Sequence, residues 1–380
     1  MSKKITGILG YGGYIGRYAT EKLLQLGFEV IGGQRKEENL FAKYENFTFV
    51  YVDVKDESLL QAFIQKCDVI VNCISPSHLY GKLVKDAVCQ YHKIYIDPSD
   101  ASFEQDRRHV TGKCVASCGY IPGLSEFLPY VLAKEHFDHV YRCVMYQGGF
   151  DGCSPGSFVD MILGAGNQNF YGDAYLQNGK ITPLSFNIKQ SHATPFSERK
   201  VIFKPLINAD SMTLQKALHA DAFYFFCTYD DMATLGFFMK LLVEVSKYNK
   251  ETAAENIERK LKERIQTNEN FGNQTVGAFL FFELWGEKNG TEKAVTCKLF
   301  LKNVNRVCGY FLAETVKEVL AYPEKITDGF HVGFTLLQRD YAQRILAEIG
   351  EDEYIQTEEI RPEDKMCIEA FTKQKCDLKK

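Results

Sequence analysis

No run in the 380-residue chain approaches the ~18 apolar residues that a membrane-crossing helix needs. The opening Met1-Ser2-Lys3-Lys4 leads straight into a short β-type run, without the long apolar core of a signal peptide. Together these two absences predict a cytoplasmic protein. An excess of positive charge is also missing: 45 Lys and Arg stand against 49 Asp and Glu, a net −4, which leaves no basic footprint for nucleic acid or an anionic membrane. A small-molecule partner is therefore expected. The twelve cysteines, among them Cys67, Cys73, Cys89, Cys143, Cys227 and Cys308, form neither a C-x-x-C pair nor a Cys/His cluster with zinc spacing. They read as reduced, mostly buried thiols, with no metal site indicated. Internal repeats and low-complexity segments are lacking as well.

What the chain does have is a glycine-rich turn in a telling place. Ile5 to Leu9 is an apolar run, and Gly10, Tyr11, Gly12, Gly13, Tyr14, Ile15 and Gly16 follow it. Ile15, Ala19, Leu23 and Leu24 then recur at helical spacing. Strand, tight turn and helix in that order form a dinucleotide site, where backbone N–H groups approach a pyrophosphate at the positive end of the helix. The spacing is G-x-x-G-x-x-G over Gly10, Gly13 and Gly16, since G-x-G-x-x-G fails at Ile15. The next apolar run, Phe28 to Gly33, ends in Gln34-Arg35-Lys36. An NAD site would carry Asp or Glu there for the ribose 2′-hydroxyl, whereas adjacent cations suit a 2′-phosphate, so NADP(H) is the expected cofactor with Arg35 as clamp and Lys36 as support.

Four more β-type runs follow: Phe47–Val52, Asp68–Cys73, Lys93–Asp97 and Lys113–Ser117, with helical patterns after the first two at Glu57–Gln65 and around Leu83–Val88. Such alternation predicts a doubly wound parallel α/β sheet, with ligand contacts beyond the carboxyl ends of its strands. That rule points to Asp53, to Ser75, Pro76 and His78 after the fourth strand, to Asp97 after the fifth and to Cys118 after the sixth. Beyond about Phe127 the texture changes to hairpin-joined strands with helices set apart, the mark of an α+β domain. Strands are expected over Val140–Gln147, Lys200–Leu206, Ala222–Tyr229, Val276–Trp285 and Lys293–Leu301, with turns at Asn178-Gly179 and Asn289-Gly290. Gly148 to Gly156 reads as a loop; Met232–Lys247, Thr252–Ile265, Arg306–Tyr322 and Leu336–Ile349 read as helices, and the acid-rich Gly350–Asp364 as a solvated face. Asp151, Tyr171, His192, Arg199 and Lys204 are possible cleft residues whose spacing does not separate them from ordinary surface.

Gly10-x-x-Gly13-x-x-Gly16, Arg35, Val71-Asn72-Cys73-Ile74-Ser75-Pro76, Tyr95-Ile96-Asp97 and Cys118-Gly119-x-x-Pro122-Gly123-Leu124, in this order, resemble the saccharopine dehydrogenase-like family. The resemblance implies a Rossmann domain over residues 1–126, a substrate-binding and dimerisation domain over 127–305, and C-terminal helices over 306–380 packing partly back on the first domain. It also implies an NAD(P)-dependent oxidoreductase, typically a homodimer, that forms or cleaves secondary amines through an imine. Ile121 stands where many members carry Asp in G-x-D-P-G, which puts a saccharopine-like amino-acid adduct in question. The favoured reaction is NADP(H)-dependent hydride transfer to a C=N bond, with Cys118, His78 and Asp97 as candidate catalytic groups. Asp53 resembles the family's adenine-side residue. Alternatives are C=C or imine reduction on an intermediate held by an acyl or peptidyl carrier protein, and a non-catalytic NADP-sensing regulator.

Overall fold

The computed structural model describes residues 4–99, 110–149, 154–166, 170–185, 191–194, 197–267, 277–337, 341, 344, 347–348 and 354–361. The first unit alternates β1 (Ile5–Leu9), α1 (Gly16–Gln25), β2 (Glu29–Gln34), β3 (Phe47–Tyr51), α2 (Glu57–Gln65), β4 (Val69–Asn72), α3 (Ser77–Gln90), β5 (Ile94–Ile96), β6 (Lys113–Ala116) and α4 (Leu124–His136). All six β runs expected from the sequence are present. Burial on both faces explains their near-continuous apolar character: every residue of β4 is buried, as in a parallel sheet covered by helices on both sides. Helix α2 starts at Asp56, whose carboxylate accepts from the backbone N–H of Ser58 at 3.0 Å and of Leu59 at 3.2 Å.

The remaining elements are β7 (His139–Gly148), α5 (Pro155–Ala165), β8 (Tyr171–Gly172), β9 (Ala174–Gln177), β10 (Lys180–Pro183), β11 (Ser191–Thr194), β12 (Ser197–Ile207), α6 (Ala209–Leu218), β13 (Ala222–Tyr229), α7 (Met232–Lys247), α8 (Lys250–Thr267), β14 (Ala278–Lys288), β15 (Thr291–Leu301), α9 (Val304–Ala321), β16 (Gly329–Val332) and β17 (Tyr354–Ile360). The sheet built on β1 runs β16-β6-β5-β4-β1-β2-β3 among the described residues and is parallel throughout. Its order reverses between β1 and β4, which opens a crevice there. The second sheet is mixed, with a path β10-β9-β13-β7-β14-β15-β17 and β12 paired to β13. Turns Asn178-Gly179 and Asn289-Gly290 lie where expected, with both residues of each at positive φ.

Three expectations are corrected or refined. The Gly148–Gly156 loop gives way to α5, which Ser154 caps and Pro155 begins; residues 150–153 lie outside the described set. The acid-rich solvated face contains β17, an edge strand pairing antiparallel with β15. The segment 306–380 is divided: α9 packs on α1, β16 extends the first sheet and β17 the second. Most of the helix expected over Leu336–Ile349 lies outside the described residues, although Tyr341, Arg344, Ala347 and Glu348 are helical. No helix among the described residues is long and apolar enough to cross a membrane.

The α1–α9 contact sets the base of the crevice. Asn303 Nδ2 donates to Tyr18 Oη at 2.9 Å, and a Cβ at Gly309 would lie 2.5 Å from Tyr18 Cβ and 2.6 Å from Ala19 N. Gly309→Ala is expected to destabilise the protein by about 1–2 kcal/mol despite the better helix propensity of alanine, because two backbones must separate. Urea unfolding measures this; an unchanged or raised midpoint would contradict the close approach.

Candidate functional site

The glycine turn is packed so tightly that side chains cannot replace hydrogen. Gly10 has φ +77°, and a Cβ on Gly16 would come within 2.1 Å of Gly10 O. Gly13 N donates to Gly10 O at 3.0 Å, and Arg17 N to Gly13 O at 3.1 Å. Helix α1 begins at Ile15 with no side-chain cap and no acid in its first turn. Its orphan N–H groups and positive end therefore suit an anion.

Tyr11 takes a different part from the rest of the turn. Its ring is fully buried against Phe41, Phe47 and Phe49, with centroids 6.1, 5.2 and 6.0 Å away, and Tyr11 Oη donates to Glu38 O at 3.0 Å while accepting from Glu38 N at 2.9 Å. The side chain thus anchors the segment after β2 to the glycine turn and leaves only its backbone for a ligand. Gln34 Oε1 accepts from Gly12 N at 3.0 Å, and the Glu38 carboxylate lies beside Gly12 as well. Arg35, Lys36 and Tyr14 are exposed on this rim. Asp53 lies two residues past β3, and its carboxylate accepts from Lys55 N at 3.0 Å within its own turn.

After β4 the chain turns through cis Ser75-Pro76 into α3. The first turn of α3 is met by Asp160, which reaches from α5. One oxygen of Asp160 accepts from Ser75 Oγ at 3.0 Å and Ser77 N at 2.9 Å; the other accepts from His78 N at 2.9 Å and lies 3.1 Å from His78 Nδ1. The His78 side chain is only 2% exposed. Ser75 therefore bonds across the two units, and Pro76 occupies the N-cap position of α3.

Asp97 is completely buried, accepting from Asn72 Nδ2 at 2.9 Å, Ser99 N at 2.8 Å and Tyr95 Oη. These bonds make Asp97, expected as a candidate catalytic group, a brace of the loop after β5; burial raises its pKa against the hydrogen bonds that lower it. Cys118 is also fully buried, in the core cluster, with its sulfur against Gly333. Burial pushes its thiol up, and it does not line the cleft cavity, so the catalytic role expected of it is not supported.

A cavity of about 320 Å³ joins the two sheets at the carboxyl ends of β1, β4, β5 and β6. Ile15 and His78 enter from the first unit, Gln147, Asp160 and Asp210 from the second, and Val304 and Cys308 from α9. Sequence reasoning brought His78 and Ile15 here, and missed Asp160, Asp210 and Gln147. Behind Asp210 sits a second buried carboxyl, Glu126, in the first turn of α4. It accepts from Gly123 N at 2.6 Å and Ser125 Oγ at 2.7 Å. Asp210 accepts from Ser117 Oγ at 2.8 Å. Of the second-unit residues considered for the cleft, Tyr171 and Lys204 do not line the cavity, the side chains of His192 and Arg199 lie outside the described set, and so does Asp151.

With this geometry in place, comparison with known proteins is informative. Saccharopine dehydrogenase (L-Glu forming) from Saccharomyces cerevisiae superposes with a TM-score of 0.63 at 15% identity, covering 94% of this chain and 100% of that one. The chain has the saccharopine dehydrogenase fold. A family model described as NAD dependent epimerase/dehydratase matches residues 7–91, the stretch from β1 to the end of α3. Partial likenesses include an epimerase from Bacteroides thetaiotaomicron (TM-score 0.24, 18% identity, 25% of this chain and 47% of that one) and a short-chain dehydrogenase/reductase from Veillonella parvula in complex with NADP (0.23, 17%, 25% and 46%). No curated protein sequence matches the chain. Within the saccharopine dehydrogenase fold, the cavity lies in the crevice between the dinucleotide-type sheet and the second sheet.

Burial first, and the nearby Asp210 charge second, raise the Glu126 carboxyl from 4.5 to about 7. The folded protein thus holds this proton more tightly than the unfolded chain. That stabilisation is complete below 4.5 and is lost as the pH rises to about 7. Wild type is expected to lose about 3 kcal/mol across this window relative to Glu126→Gln, which retains an acceptor for Gly123 N. Chemical unfolding at several pH values measures the difference; a constant gap between the two proteins would refute it.

Proposed function

We propose that the protein is an NADP(H)-dependent oxidoreductase that transfers hydride to a C=N bond of a small metabolite, or from a secondary amine in reverse. The observation that carries this reading is the meeting, on one cavity, of the start of the glycine-turn helix and the His78–Asp160 pair. The uncapped first turn of α1 and the cradle at Gly10 and Gly16, which a Cβ would fill, suit a pyrophosphate. Arg35 and Lys36, exposed just past β2, are the cations proposed to receive a 2′-phosphate. When bound, the dinucleotide supplies the hydride.

The protein's part is placement and the proton. Asp160 fixes the ring of His78 through Nδ1 and holds the α3 terminus, so the imidazole is oriented before substrate arrives. His78 is the group proposed to give a proton to the substrate nitrogen, and Asp160 steadies the imidazolium. Asp97, by contrast, serves as the buried brace of the loop that presents Ser99 to the cavity.

The Glu38 carboxylate beside Gly12 supplies a specific rival, because an acid at that rim would suit the 2′-hydroxyl of NAD. Arg35→Ala is expected to weaken NADPH binding about tenfold or more while leaving NADH nearly unchanged, and Glu38→Ala to leave NADPH at full affinity. Fluorescence titration decides: equal losses for both cofactors in Arg35→Ala would refute the phosphate clamp, and a selective NADH loss in Glu38→Ala would assign the site to NAD. For the reaction itself, NADPH oxidation with a panel of cyclic and acyclic imines should be slowed strongly by His78→Gln. Tight NADPH binding with no turnover across the panel would instead mark a sensor.

A further inference from the structure

The bend that carries Arg35 and Lys36 is held at both ends by the glycine turn. Gln34 closes β2, and its backbone carbonyl accepts from Val52 N at 3.1 Å, just past β3. From that fixed base its side chain spans two partners. Oε1 accepts from Gly12 N at 3.0 Å, and Nε2 donates to Lys36 O at 2.5 Å. Because one partner is a donor and the other an acceptor, a single orientation of the amide satisfies both. The second bond closes the backbone around Arg35, which is exposed between Gln34 and Lys36. Further on, Tyr11 Oη bonds both the N–H and the C=O of Glu38, from a ring packed on Phe41 and Phe47. Residues 35–37 are thus strung between two latches, Gly12 to Gln34 and Tyr11 to Glu38, and both latches start from the glycine turn.

We infer that Gln34 sets the preference for a 2′-phosphorylated dinucleotide, by holding the Arg35–Lys36 bend against the glycine turn. This rests on the NADP(H) reading and assigns the selection to a neutral amide together with the cations. Position 34 ends β2, in the region where an NAD site carries its acid. A carboxylate there would still accept from Gly12 N, but its second oxygen would face the Lys36 carbonyl, two acceptors with no proton between them. The amide turns that repulsion into a bond. Its benefit to a ligand is entropic. A loose bend would have to be ordered when the phosphate binds, whereas a latched one is ordered on folding, so Arg35 and Lys36 meet the phosphate with less loss of freedom. Gln34 acts through the backbone of its neighbours and is a positioning residue.

Calorimetric titration of the full chain with adenosine 2′,5′-bisphosphate and with adenosine 5′-monophosphate isolates the 2′-phosphate. Wild type is expected to favour the bisphosphate about tenfold or more. Gln34→Met keeps the length of the side chain and removes both hydrogen bonds; it is expected to weaken the bisphosphate about tenfold and to leave the monophosphate within about twofold. In an Arg35→Ala background the same substitution should change neither nucleotide, because the bend then lacks the guanidinium it positions. A purely structural role would instead weaken both nucleotides together, or add its full loss to that of Arg35→Ala. Either result, or a wild-type preference that survives Gln34→Met, would overturn the inference. Should Gln34→Met fail to fold, Gln34→Glu retains the acceptor for Gly12 N, and an undiminished preference for the bisphosphate in that variant would overturn the inference equally. Equal affinity of wild type for the two nucleotides would refute the NADP(H) reading itself, whereas a preference lost in Arg35→Ala but kept in Gln34→Met would leave that reading standing without this one.

Discussion

The carboxylate of Asp160 is the physical tie on which the cleft depends. It leaves α5, crosses to the first turn of α3 and satisfies two backbone N–H groups and the Ser75 hydroxyl there, besides meeting His78. Helix N-termini normally find such a partner within their own sequence. Here α3 has Pro76 at its N-cap and no side-chain cap of its own, so the partner comes from the other unit. The distance between the first sheet and the second is thereby set by hydrogen bonds at the site itself. Hydrophobic packing of α9 on α1 holds the opposite side.

A second constraint is electrostatic. Asp97, Glu126 and Asp210 are all buried near the strand ends, each with hydroxyl or backbone donors. Burial of this many acids is costly unless their charge is shared, protonated or used. Asp97 is spent on bracing Asn72, Tyr95 and Ser99; Glu126 on the turn at Gly123; Asp210 alone of the three reaches the cavity wall.

The first sheet was legible because its central strands β4 and β5 are buried on both faces and helical patterns alternate with the apolar runs. The glycine turn was legible because backbone packing forbids side chains at Gly10 and Gly16. Tyr11 was misleading: adjacency to glycines suggested cofactor contact, while the aromatic cluster beneath it claimed the ring. Asp160 went unseen although two signals were present. Ser154-Pro155 is a helix start, and Asp160 is the one acid within the apolar run that follows. Asp210 and Gln147 carried no such mark, because nothing local shows which strand end or helix start will face β1 from another sheet. Cys118 stood at a strand end, but Gly333, far along the chain, folds over it.

The pairing of β16 with β6 places Gly329–Val332 beside Lys113–Ala116. Everything from α4 to α9 lies between these partners in the chain. The edge of the first sheet therefore closes only after the second unit has been made, an event of high contact order within a hydrophobic core that already runs through both units. During synthesis the strand ends at Ser117 and Cys118 wait uncovered, and an early-terminated chain would present the β6 edge to aggregation. The same crossing delivers α9 to the floor of the crevice, so the pocket is not complete until this distant segment is in place.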